Sequence, residues 1–169
     1  MIDRRARDDL PYPDDAFQFV EQGLPYAVRR EHGDLSSDQR QLEAWLQQQD
    51  IDFDKLIELY ESGALPGPVQ ELIQELGGLE RLNRHVSGQE LCWGLRDLAV
   101  ERWGLLAKTV LRQWKVKRTE DFGRIVFALI DEGRLRKQAD DTIDDFRNVY
   151  DFDEAFDLAD LPEASASDD

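Results

Sequence analysis

Cysteine is nearly absent from this chain. Cys92 is the single one among 169 residues, so no intrachain disulfide can staple the fold and a reducing compartment is the natural setting. Long apolar runs are missing too: nothing approaches the roughly 18 consecutive apolar residues of a membrane-spanning helix. The opening stretch MIDRRARDDLPYPDD carries no apolar block of the signal-peptide kind. We therefore expect a soluble, cytoplasmic protein that does not act at a membrane. Histidine is scarce, and His32 and His85 have no nearby Cys or His at ligand spacing, which argues against a zinc site. Gly77-Gly78 lacks the Lys-Ser/Thr that completes a phosphate loop. DDTIDD (140–145) lacks the central glycine and closing glutamate of a calcium loop. These patterns give no catalytic residue, cofactor or metal, and we read the chain as no enzyme.

Charge is abundant and unevenly spread. The formal net charge is −16, which favours solubility and opposes non-specific binding to nucleic acid or anionic lipid. From Met1 to Glu101 there are 10 basic and 21 acidic residues, net −11. From Arg102 to Gln138 the balance reverses to 10 basic and 4 acidic, net +6. From Ala139 to Asp169 one basic residue faces 12 acidic ones, net −11 again. A basic middle between acidic flanks is the pattern any partner would meet.

Hydrophobic spacing predicts a mainly helical chain. Residues 1–11 are polar and expected to be mobile. Phe17, Val20, Leu24 and Val28 recur at helical spacing within 12–33, with Asp14 as the cap and Pro25 expected to kink or restart the helix. A change of texture marks 34–84 as a helical insertion. There Leu42, Trp45 and Leu46 share one face, Phe53, Leu56, Ile57 and Tyr60 another, Gly63 is a stop signal, and Pro68 and Gly77 bracket a third helix. Ser87 with Glu90 is a capping box. It opens a helix with Leu91, Leu95 and Leu98 in a stripe, and LLAKTVLRQW supplies a second. The third, Thr119-capped, buries Phe122, Ile125, Val126, Leu129 and Ile130 and exposes Glu120, Asp121, Arg124, Ala128 and Asp131.

After Gly133, RLRKQ and TIDDFRN flank ADD, which reads as a hairpin turn. Three short helices followed by a short β-hairpin make 85–156 a winged-helix-like core. The fold class is thus mainly α: a compact multi-helix domain with that C-terminal core. Phe146, Tyr150, Phe152 and Phe156 are expected to return to the body. Residues 157–169 form an acidic tail too poor in apolar surface to fold.

The helix at Thr119 is a poor reader of DNA, because only Arg124 among its outward residues suits a base edge. The cations lie instead before it (Lys115, Lys117, Arg118) and after it (Arg134, Arg136, Lys137). A solvated surface accounts for these residues. The sharper expectation is an interaction patch comprising them with Arg124, and with Trp114 and Phe127 as aromatic anchors, docking an acidic partner or the chain's own acidic C-terminal segment.

The stretches YPDDAFQFV, HVSGQELCWGLRDLA, AKTVLRQW, TEDFGRIVFALIDEGRLRK and DDFRNVYDFDEAF, in this order, resemble a family of small uncharacterised proteins found mainly in Planctomycetes and Verrucomicrobia. The resemblance covers roughly Tyr12 to Gly33 and His85 to Phe156, and it makes the segment between them an insertion. Lys115 stands where similar sequences tend to have glycine after the tryptophan. The resemblance implies a shared domain and assigns no activity, ligand or catalytic residue.

The expected function is a non-catalytic protein-interaction or regulatory module contacting an acidic protein partner through the basic patch. The alternative is a nucleic-acid-binding winged-helix regulator whose acidic tail is autoinhibitory.

Overall fold

The structure, a computed structural model, describes residues 5–138 and 140–157. Among the described residues it is mainly helical, and none forms a strand. The tail expected to be disordered lies, apart from Asp157, outside them. The chain divides into two compact units, one built from the residues up to Glu31 and from Val86 onward, the other from His32–His85.

In the first unit α1 (Asp14–His32) runs unbroken through Pro25 rather than restarting there. It buries Phe17, Phe19, Val20 and Ala27. It lies tightly against α6 (Gly88–Trp103), where small residues meet: a Cβ on Gly94 would sit 2.5 Å from Cβ of Ala27, and one on Gly23 only 2.1 Å from a methyl carbon of Leu95. The Ser87–Glu90 box forms as expected, with reciprocal bonds of 3.1 and 3.0 Å. Gly104, at φ 52°, ends α6. A 3₁₀ turn (Gly104–Leu106) leads into α7 (Ala107–Gln113) and then α8 (Thr119–Asp131).

Thr119 is not the cap of α8. Its hydroxyl donates to the Phe146 carbonyl (2.6 Å) and accepts from the Val149 amide (3.2 Å). Asp121 does the capping, accepting from the amides of Lys117 (2.8 Å) and Arg118 (3.1 Å). Its other oxygen takes the Tyr12 hydroxyl at 2.5 Å.

Among the described residues the expected β-hairpin, and with it the wing, does not form. Gln138 and Thr142 donate their amides to the carboxylates of Asp141 (2.8 Å) and Asp145 (3.0 Å). These local bonds curl the backbone and compete with ladder pairing. Ile143–Phe146 is consequently a 3₁₀ helix packed on α6 and α8. Its Phe146 ring fits because Gly88 and Gly123 lack side chains; a Cβ on Gly123 would lie 2.8 Å from that of Phe146.

The aromatics beyond it do return to the body. Tyr150 stacks near Trp93 (4.6 Å) and donates to the Cys92 carbonyl (2.8 Å), while Phe152 meets Phe122 (5.8 Å) and Phe156 (5.2 Å). Phe152–Ala155 forms a short helix, α9, capped by Asp151.

The second unit has α2 (Ser37–Gln48), α3 (Phe53–Ser62), α4 (Gly67–Glu75) and α5 (Leu79–Leu82). Its buried core is Leu42, Leu56, Leu65 and Ile73, with Trp45, Phe53, Tyr60 and others half-buried around it. Local signals shape it. Ser36 and Gln39 form a capping box, Asp52 caps α3, and Gly63 (φ 72°), Gly77 (φ 101°) and Gly78 (φ 92°) take left-handed turns that bulkier residues resist. The His32 ring bonds the His85 carbonyl (2.8 Å) and Arg84 donates to the Gly33 carbonyl (2.5 Å), tying the unit's two ends together.

Candidate functional site

The cations expected to form one patch fall into two groups. Lys115, Lys117 and Arg118 lie on the turn between α7 and α8; Arg134, Arg136 and Lys137 follow the other end of α8. A 13-residue helix separates them, a span of about 20 Å. Arg124 stays near the first group but is engaged: it pairs with Asp121 (3.6 Å), and interaction with Tyr12 raises its pKa. Arg134 reaches back to Glu21 on α1 (3.1 Å).

Neither expected anchor stands free. Trp114 is half-buried against Phe19 (5.8 Å) and Trp103 (5.3 Å), and Phe127 meets the Phe146 ring edge-on (6.4 Å).

Next to Arg134 lies a buried guanidinium in the segment expected to be mobile. Ala6–Asp9 is a 3₁₀ helix packed on α8, and Arg7 is only 7% exposed. Its Nε donates to both oxygens of Glu132 (3.1 and 3.2 Å), its Nη1 to Asp14 (3.2 Å), and the group lies 4.5 Å over the Phe17 ring. Burial works against the charge, but the bonds to Glu132 and Asp14 outweigh it and the Arg7 pKa rises. This cluster is an internal pin rather than a surface.

The first group is completed by two residues that sequence reasoning missed. Lys108 and Arg112 on α7 join Lys117, Val116, Asp151, Phe152 and Asp153 around a cleft of about 140 Å³. Lys108 and Arg112 are spaced i,i+4, one helical turn apart, which was the readable signal. The contribution of Lys117 depends on the turn that follows. Lys115 makes that turn at φ 65°. The Val116 amide then bonds the Leu111 carbonyl (2.9 Å) in the manner of a helix-stop motif. That is the conformation glycine favours.

Asp153 occupies the cleft's edge, ion-paired to Lys108. The bond and charge of Lys108, with Arg112 behind it, hold the Asp153 carboxyl below the usual range. Asp151 is directed elsewhere, accepting the amides of Asp153 (2.8 Å) and Glu154 (3.3 Å) as the cap of α9. Arg96 bonds the Ala155 carbonyl (2.8 Å) and holds the other end of the same segment. An acidic, aromatic stretch of the chain is thus seated beside a cationic cleft.

The outward face expected of α8 is smaller than its wheel implied. Asp121 and Ala128 are buried along with Phe122, Gly123, Ile125, Val126 and Leu129, leaving Arg124 and Asp131 exposed. The cause is cover from both sides: Ala6–Asp9 and Ile143–Phe146 both pack on this helix. Cys92 is also enclosed, and burial, with the charge of Glu120, pushes its thiol pKa up, away from thiolate reactivity.

Comparison of the chain with protein-family models, with curated proteins and with solved structures found no match. Among the described residues no helix is long and apolar enough to cross a membrane.

Proposed function

We propose that the chain is a non-catalytic interaction or regulatory module of the cytoplasm, and that it contacts an acidic protein partner through the cationic face of α7 and the α7–α8 turn. One observation carries this reading: Lys108, Arg112 and Lys117 converge on one cleft, and a carboxylate, Asp153, already rests there. The cleft holds three cations against two carboxylates, one of them engaged as a helix cap. Kinship with the Planctomycetes and Verrucomicrobia family belongs to the same proposal.

The nucleic-acid alternative has weaker support. Reading bases needs a helix that can enter a groove and polar side chains at base edges, and α8 is covered by the Ala6–Asp9 and Ile143–Phe146 segments. The acidic tail invoked for autoinhibition lies, beyond Asp157, outside the described residues.

Binding to poly-L-glutamate, measured by calorimetry at low and moderate salt, tests the proposal. Wild-type protein is expected to bind, and Arg112→Glu/Lys117→Glu to lose binding. Equal binding by both proteins, or tighter binding of an oligonucleotide than of polyglutamate, would overturn it.

A further inference from the structure

Among the described residues four large apolar side chains are exposed, and the two most exposed are neighbours: Leu105 at 83% and Leu106 at 63%. They occupy the 3₁₀ turn that leads into α7. The turn is firmly mounted. Gly104 reverses the chain at φ 52°, and Trp103, immediately before it, packs on Phe19 (5.1 Å) and Trp114 (5.3 Å). Leucines on such a base are displayed, where the other described leucines of this unit are buried or half-buried.

Their position relative to the cationic cleft is set by helical geometry. Steps of three and four residues bring successive side chains to one side, which places Leu105, Lys108 and Arg112 in a row. Seven residues at a helical rise cover about 10 Å, the reach of roughly three residues of an extended peptide. The row is apolar at one end and cationic at the other. It lies in the stretch that carries net +6 within a chain of net −16.

Resting on the function proposed above, we infer that this row docks a peptide segment bearing adjacent aliphatic or aromatic side chains about three residues from a cluster of carboxylates. Charge complementarity selects that occupant. An anionic lipid surface and a second copy of this chain both meet repulsion from the overall negative charge, whereas a short acidic segment engages only the local positive field. The seated segment Asp151–Phe156, with Asp153 on Lys108 and aromatics on either side, has the same acidic and aromatic chemistry.

The test uses fluorescently labelled peptides LLGSEEE and SSGSEEE, each also in reversed order, titrated with the full chain and followed by anisotropy. The leucine-bearing peptide, in one of its two orientations, is expected to bind at least roughly tenfold more tightly than its serine counterpart, from burial of apolar side chains. Leu105→Ser/Leu106→Ser should abolish that preference while keeping the weaker acidic binding. Both leucines are exposed, so the variant should fold, which circular dichroism checks. Equal binding of the two peptides by wild type would overturn this inference and leave the cationic function standing. Binding of neither peptide, together with no binding of polyglutamate, would overturn both. Leucine-dependent binding to phosphatidylserine vesicles, or leucine-dependent dimerisation seen by sedimentation, would reassign the row to lipid or to self-association and overturn the inference.

Discussion

The two units are both helical but hold themselves together by different means. The unit containing α6 and α8 has a broad core of aromatic and aliphatic side chains, closed by polar contacts between residues far apart in sequence: Arg7 to Glu132, Tyr12 to Asp121, Thr119 to Phe146 and Tyr150 to Cys92. The unit His32–His85 buries four apolar residues and relies on caps, helix stops and positive-φ glycines. Long-range polar pins specify one arrangement of a core. Local signals shape short helices without burying much between them. The cationic cleft belongs to the pinned unit, where its cations and the Asp153 segment are held in fixed relation.

The largest test of this contrast removes a pin. Arg7→Ala leaves Glu132 facing a buried gap and should cost about 3–5 kcal/mol. In hydrogen exchange, α8 and the first turns of α1 should lose protection while α2 to α4 keep theirs. Equal loss in both units would break the comparison.

A core truncation in the other unit comes next. Leu56→Ala should cost about 2–5 kcal/mol, comparable to the roughly 3–8 kcal/mol of total stability expected at that size. Protection should collapse across His32–His85 and persist in α6. A small change there would mean that the unit's half-buried side chains stabilise it more than its four buried ones imply.

Alkaline pH probes one pin without mutation. Burial and the Asp121 carboxylate push the Tyr12 pKa up to about 12 from its usual 10. Because the folded value is the raised one, its contribution is complete below pH 10 and disappears as pH rises toward 12. About 2 kcal/mol should be lost over that window, read as a falling denaturation midpoint. Tyr12→Phe should flatten this dependence.

The smallest effect has the opposite sign. Lys115 holds a left-handed conformation at φ 65°, so Lys115→Gly should stabilise the α7–α8 turn by up to about 1 kcal/mol. A raised melting temperature would show it.

The same contrast explains what was readable in the chain before its fold was known. Ser87 with Glu90, Gly63 as a helix stop and the Phe122–Ile125–Leu129 stripe depend on neighbours within one or two turns, and each is found as expected. Arg7 was misplaced because its partner lies 125 residues away. Thr119 looked like a cap, yet its hydroxyl is taken by Phe146, and Asp121 fills the role. The hairpin failed because Asp141 and Asp145 bond nearby amides and Phe146 turns inward. Lys117 was singled out, but Lys108 and Arg112 were not, since only the α7–α8 turn brings all three to one cleft. Arg134 to Lys137, although close to the others in charge pattern, were separated from them by the length of α8.

Amide chemical-shift mapping during titration with poly-L-glutamate tests the central claim most directly. The predicted result is a contiguous set of shifts over Leu105–Arg118 and Asp151–Asp153, with His32–His85 unchanged. Shifts centred on Arg134–Lys137 or within His32–His85, or no shifts at all, would contradict it.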